Sequence, residues 1–473
     1  MPKNICIFSD GTGQMGGVRP DQRLSNIYKM YRAMRPGPDS PISPKDQVCF
    51  YDPGLGTAET GGMFRRIKPI LASAVGTGID HNMIDCYEQI IAHYEPGDRV
   101  LLFGFSRGAY TVRALANVMN LCGIPTRMPD GTPVPRYGPK LRKIATDAVK
   151  FVYNHGAGKP RGKQPYSGRR EELGRRFRRK YSSAPVEGED VQGNVQPHFI
   201  GVFDTVASLG TAVVRSFVWG GTAAICALLV VSLVLDWPWP VLLGLAGLLS
   251  ALLWQLGSLL LDNFKFYSDT PEHRLRLWRP ADWPQIWRTG HFAAWNKRNY
   301  DKWLDPDVQH ARHAMAIDED RADFPRVGWA SKKAALETKD RQPEWLKQVW
   351  FPGCHSDIGG SYPESESRLS DIALDWMVTE VKECVPTIQI NENMLHRHPD
   401  ALALQHREEA IVTFGPLRIR WKQGIREVGS DFPLHPSVEE RMKASVVVQN
   451  GDVKAYRPAQ LRERRGLADY YDN

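Results

Sequence analysis

No CxxC pair occurs among Cys6, Cys49, Cys86, Cys122, Cys226, Cys354 and Cys384, and an odd count without metal-ligand spacing fits neither a disulfide framework nor a zinc site. Reduced, mostly buried thiols are expected, with no metal and no cofactor. The opening MPKNICIFSDGTG lacks the charged-then-apolar layout of a cleavable leader and reads as a strand and a turn, so the catalytic part is expected in the cytosol. Aromatics are sparse in the one strongly basic stretch, Arg161–Lys180, so stacking on nucleic acid is not expected there.

The composition is that of a folded protein: 42% hydrophobic and 24% charged residues over 473 positions supply a sizeable core. That length suits one large α/β enzyme with insertions as well as two or three domains. A formal charge of +8 and a pI near 9.0 favour anionic partners, nucleic acid and acidic lipid headgroups alike.

Short β-rich runs at Asn4–Ser9, Val48–Asp52 and Arg99–Phe105 alternate with a helical pattern near Ile79–Tyr94, which predicts a mostly parallel sheet flanked by helices. Pro96-Gly97-Asp98 is a turn, and Val100–Phe103 is a continuous apolar run of the kind that buried parallel strands carry. Arg161–Lys180, with Arg169, Arg170, Arg175, Arg176, Arg178 and Arg179, reads as an exposed insertion. It is either a solvated basic face or a patch for anionic headgroups. Phe217–Leu235 and Val241–Leu261 are uncharged and of bilayer-crossing length, separated by Asp236-Trp237-Pro238-Trp239-Pro240. They predict an apolar, transmembrane-like helical hairpin, and Arg215, Lys265 and Arg274 keep the enzymatic part inside. The expected organisation is a core over 1–135 with the nucleophile, a basic insertion over 136–197, a core strand with the acid over 198–215, the membrane hairpin over 216–262, and core completion with the catalytic histidine over 263–473.

Gly104-Phe105-Ser106-Arg107-Gly108 fits G-x-S-x-G between a buried strand and the helical pattern Ala109–Leu121, the context that the motif requires. Such a turn strains the serine outward and leaves the Arg107 backbone N–H to stabilise an oxyanion. A serine needs a base oriented by a carboxylate. Phe199–Phe203 reads as the next buried strand and ends at Asp204, the expected acid. His355 follows strand-like Gln348–Pro352 in a glycine-flanked loop and is the expected base, with His435 as its rival. Asp357, two residues on, is the alternative acid or a local cap of the turn, the second being favoured. Gly11 and Thr12, after the first strand, either supply the second oxyanion donor or form an aspartate turn around Asp10.

FSDGTG, YDPGLGT at Tyr51–Thr57, YEPGDRVLLFGFSRGAYTVRAL at Tyr94–Leu115, GVFDTVAS at Gly201–Ser208 and WFPGCHSDIGGSY at Trp350–Tyr362 resemble the bacterial and fungal α/β-hydrolase family that includes type VI secretion phospholipase effectors. The resemblance covers roughly 1–124 and 195–375. It implies an α/β-hydrolase-like fold, a triad of Ser106, Asp204 and His355, and hydrolysis of phospholipid acyl esters. The hairpin departs from a freely secreted effector.

The expectation is therefore a membrane-associated serine esterase, a lipase or phospholipase, acting on a phospholipid or other lipid ester. Its catalytic domain is cytoplasmic unless the chain is a secreted effector. No nucleic-acid partner is expected. The competing reading is a catalytically idle hydrolase-like membrane protein that serves as a binding or scaffold module. A metal-dependent phosphatase with Asp10 as nucleophile is weaker, because the second aspartate such chemistry needs is Thr12 here.

Overall fold

A computed structural model describes residues 2–11, 14, 16–17, 23–54, 78–160, 162–206, 212–271, 273–293, 304–322, 324, 326–329, 342–414, 417–429 and 432–471. In chain order the principal elements begin β1 Asn4–Ser9, α1 Asn26–Met34, β2 Gln47–Asp52, α2 Gly78–His93, β3 Arg99–Phe105, α3 Arg107–Cys122, α4 Pro139–Thr146 and α5 Tyr166–Tyr181. Next come β4 Phe199–Phe203, α6 Ala212–Val234, α7 Trp239–Asn263, α8 Trp283–Thr289, β5 His310–Ala316 and β6 Leu346–Phe351. The chain closes with α9 His355–Gly359, α10 Arg368–Cys384, a hairpin of β7 Ala410–Phe414 and β8 Leu417–Arg420, and α11 Pro436–Lys443.

The central sheet runs β2-β1-β3-β4-β5-β6, with every neighbouring pair parallel. Its strands are apolar on both faces because helices cover both. One face packs Ile5, Val100 and Leu102 against α2, α3 and α4. The other packs Phe8, Phe103 and Phe199 against α1 and α10. The alternation of strands and helices in the sequence thus becomes an α/β-hydrolase-like fold. Parallel strands order all their C-terminal ends along one edge, and in such sheets that edge carries the ligand crevice.

The basic stretch is not simply an exposed face. It forms α5, whose Phe177 and Tyr181 join the core, and Arg178 is fully buried, donating to the Leu121 carbonyl at 2.5 Å and to Asp190 at 2.5 Å. A guanidinium with its donors satisfied can be enclosed, which periodicity alone does not reveal. Arg175 and Arg176 pair with Glu172, so fewer cations face solvent than the composition suggests.

The apolar segments form two helices, α6 and α7, that pack on each other with the turn at Asp236–Pro238 between them. Among the described residues, by length and composition, α7 is the one helix long and apolar enough to cross a membrane, while the apolar part of α6 is the shorter run Trp219–Val234. None of the apolar window of α7 is buried in the protein, and Trp219, Val234, Leu243, Leu253 and Trp254 point outward.

Candidate active site

The turn from β3 into α3 is held by close packing. Ser106 has φ 57° and ψ −120°, a backbone state that costs a non-glycine residue energy and persists only where its surroundings enforce it. Here they do. A Cβ on Gly104 would lie 2.6 Å from the Ala109 Cα, and one on Gly108 would lie 2.0 Å from the Ser9 carbonyl oxygen. Only glycine lets strand and helix approach this closely. Arg107 opens α3, so its amide sits at the positive end of the helix dipole.

The Ser106 amide donates to the Phe203 carbonyl at 3.2 Å, which brings the end of β3 beside the end of β4. There Asp204, also at positive φ, is fully buried. Its Oδ2 accepts from Nδ1 of His355 at 2.6 Å, and its Oδ1 accepts from the Ala316 amide at 3.1 Å and from Arg426 Nη1 at 2.6 Å. Burial opposes ionisation, but the Arg426 cation and the His355 bond outweigh it and hold the Asp204 carboxyl well below the usual carboxylate range. The anion fixes the proton of His355 on Nδ1 and leaves Nε2 as the basic nitrogen. That Nε2 is buried and has no hydrogen-bond partner among the described residues. The imidazole stacks on Phe105, the residue before Ser106, at 4.7 Å between ring centres, and Phe324 meets it edge-on at 5.6 Å. Its backbone N–H donates to Glu319 at 3.1 Å, and Glu319 is in turn gripped by Arg321. Ser106, Asp204 and His355 therefore gather at one edge of the sheet.

Asp357 faces elsewhere. Its Oδ2 accepts from the amides of Cys354 and His406, both at 3.0 Å, and its Oδ1 lies 2.8 Å from His406 Nδ1. It caps α9 and ties it to the C-terminal segment, the local role favoured from the sequence. His435 caps α11 and stacks on Phe351, and burial pulls its imidazole down to about 4.

The loop after β1 is built around Asp10. Its carboxylate accepts from the Ser25 hydroxyl, from Tyr51 at 2.7 Å and from the Gly11 amide at 2.7 Å, and burial raises it to about 6 against those bonds. Gly11 lies against Ser106, since a Cβ there would be 3.3 Å from the Ser106 Cβ. Its N–H, however, is spent on Asp10, so the expected oxyanion donor faces a carboxylate in this structure. Thr12 lies outside the described residues.

Arg426 and Glu319 were not legible as site residues. Arg426 is 222 positions from the aspartate it holds and stands in no motif.

The sequence matches the family described as the type VI secretion system phospholipase effector Tle1-like catalytic domain over residues 3–224 and 279–380, more than half of the chain. The chain belongs to this Tle1-like family. The matched residues of this Tle1-like chain include Ser106, Asp204 and His355, whereas all of α7 and Arg426 lie outside them. An uncharacterized protein of Saccharomyces cerevisiae is 28% identical over 217 residues, 44% of this Tle1-like chain and 27% of the yeast protein. Among solved structures, an uncharacterized protein from Pseudomonas aeruginosa is 14% identical with a TM-score of 0.34, covering 84% of this chain and 47% of that one. A Tle1 effector bound to the VgrG spike of the type 6 secretion system is 17% identical with a TM-score of 0.29, covering 77% and 52%. The Tle1-like chain thus spans about a quarter of the yeast relative and about half of each solved chain.

Proposed function

We propose that the chain is a serine esterase that hydrolyses phospholipid acyl esters by a Ser106-Asp204-His355 triad. The observation that carries this reading is the buried His355: one ring nitrogen is 2.6 Å from a buried carboxylate, the other has no partner among the described residues, and the ring stacks beside the strained Ser106 turn. In this mechanism Nε2 takes the Ser106 proton as Oγ attacks the ester carbonyl, and Asp204 stabilises the imidazolium that forms. The Arg107 amide donates to the tetrahedral oxyanion. The second donor is assigned to the Gly11–Thr12 loop, with the Gly11 amide parting from Asp10 to serve. His355 then returns the proton to the leaving alcohol, and water hydrolyses the acyl-serine by the same steps in reverse. Family membership supports a phospholipid as the ester.

The same reading makes α6 and α7 a membrane anchor that keeps the hydrolase domain on one aqueous side at the lipid surface. At 1.5 Å per residue the 25 residues of α7 span about 37 Å, more than the roughly 30 Å of bilayer hydrocarbon.

The test is turnover of a panel of phospholipids and short-chain esters by purified protein, beside Ser106→Ala. The variant is expected to stay folded, to lose labelling by fluorophosphonate, and to lose activity by several orders of magnitude. Near-wild-type turnover by folded Ser106→Ala would sink the triad.

A further inference from the structure

The segment that follows the hairpin has two unlike sides. Its inner side is pinned to the hydrolase body. Arg176 donates to the Ser268 carbonyl at 2.9 Å and to the Tyr267 hydroxyl at 2.8 Å, and His291 Nε2 lies 2.7 Å from the His155 carbonyl. Leu275 and Ile286 are buried beneath it. Internal bonds stiffen it as well: Asp282 receives His273 Nε2 and the Arg276 amide, both at 2.8 Å, and the Trp283 indole donates to the Leu277 carbonyl at 2.8 Å.

The outer side is apolar and cationic. Trp278 is 74% exposed and Trp287 84%, with Leu277, Trp283 and Phe292 exposed beside them. Arg274, Arg276, Arg279 and Arg288 are exposed on this segment, with Arg276 over Trp278 at 5.4 Å, Arg274 over Phe151 at 5.0 Å and Arg288 paired with Asp269. Large rings held rigidly in water are unfavourable, and a pinned segment cannot fold them away. The segment starts at Phe264, directly after the last residue of α7, and the Phe264 ring meets Phe292 at 5.3 Å. The patch therefore sits at the root of the hairpin.

We propose that residues 264–271 and 273–292 form an interfacial collar that rests on anionic lipid headgroups, with Trp278 and Trp287 inserted at headgroup depth and the arginines on phosphates. Indole rings favour that depth, arginine forks match phosphate geometry, and the collar adjoins the helix that would leave the bilayer. This inference rests on the hairpin being a membrane anchor. It adds a second contact that fixes the orientation of the hydrolase body, which a hairpin alone would leave free to pivot.

The experiment uses the full chain reconstituted into phosphatidylcholine vesicles, with and without phosphatidylglycerol, and compares wild type with Trp278→Phe/Trp287→Phe. The fluorescence removed by the double substitution is the emission of the two collar indoles. Trp283 is left alone because its indole N–H holds the loop. In anionic vesicles that emission is expected to fall about twofold with brominated lipid and to be shielded from aqueous iodide, since indoles at headgroup depth meet one quencher and not the other. Emission that iodide quenches and bromolipid leaves unchanged would overturn the collar and assign the patch to a protein partner. Equal shielding in neutral vesicles would overturn the role given to the arginines. Neither readout needs turnover, and resistance of the chain to carbonate extraction reports the hairpin separately, so failure of the collar is distinguishable from failure of the anchor or of the hydrolase.

Discussion

Arg426 Nη1 lies 2.6 Å from Oδ1 of Asp204 while His355 Nδ1 lies 2.6 Å from Oδ2, so one buried carboxylate is shared between a fixed cation and a titratable ring. The remaining Arg426 contacts go to the Ala316 and Phe324 carbonyls at 3.1 Å, which orients the guanidinium independently of the aspartate. Removing the cation raises the proton affinity of the Asp204–His355 pair. Arg426→Gln is therefore expected to move the acidic limb of kcat/KM to higher pH, whereas Arg426→Lys keeps it near the wild-type position. Stability should fall by about 3–5 kcal/mol in Arg426→Gln, as for other broken buried pairs. Because the Asp204 carboxyl titrates below its usual range when folded, its stabilisation is present above about pH 4 and lost on acidification. A folded Arg426→Gln protein with an unmoved limb would confine the guanidinium to stability.

Asp204→Asn is expected to lower kcat about 10⁴-fold, because the amide no longer fixes the His355 tautomer. Asp357→Asn should leave kcat within about tenfold and instead lose about 1–3 kcal/mol, since three donors converge on that carboxylate. Burial works against the charged form of His406, yet the bonds from Asp357 and Glu366 raise its pKa. That stabilisation is full below about pH 6.5 and is lost as pH rises through the raised value. Denaturant midpoints across that range should show a slope in wild type that Asp357→Asn flattens. The acid would have to be reassigned if Asp357→Asn were the more damaging of the two to turnover.

Carbonate washing is expected to leave the full-length chain in the membrane pellet. Replacing Phe217–Leu261 by a short Gly/Ser linker should release it while preserving activity on a water-soluble ester. Extraction of the full-length chain by carbonate would exclude the anchor.

Burial raises Asp52 to about 7, against hydrogen bonds from Ser9 and Asn82. A carboxyl raised on folding contributes stability that is full below about pH 3.9 and lost as pH climbs through the folded value. Wild type should therefore lose stability between about pH 4 and 7, and Asp52→Asn should flatten that loss. Parallel slopes in chemical denaturation would refute it.

The sheet was legible where burial is chemically simple. Arg99–Phe105 and Phe199–Phe203 are continuous apolar runs, and both appear as strands with those bounds. The strand β5 escaped because His310–Ala316 carries Arg312 and His313 at fully buried positions. Glu380 neutralises Arg312, and burial pulls the His313 imidazole down to about 3, so a polar-looking run behaves as core. The turn at Ser106 was legible because so close an approach of strand and helix needs glycines at fixed offsets. Arg426 was not, because a charge that serves a site from far along the chain carries no local pattern. Arg178 misled in the opposite direction, since a basic run says nothing of which guanidinium will find Leu121 and Asp190.

The helices α6 and α7 are inserted in the connection that leaves β4, the strand that delivers Asp204. Only seven residues separate Asp204 from Ala212 at the start of α6, a reach of at most about 29 Å even when fully extended. With the hairpin in a bilayer, the proposed triad is leashed within that radius of the first turn of α6, just before the apolar run Trp219–Val234. Encounter with substrate then becomes a search across a surface, in which turnover follows the mole fraction of the ester in the leaflet and not its concentration in bulk water.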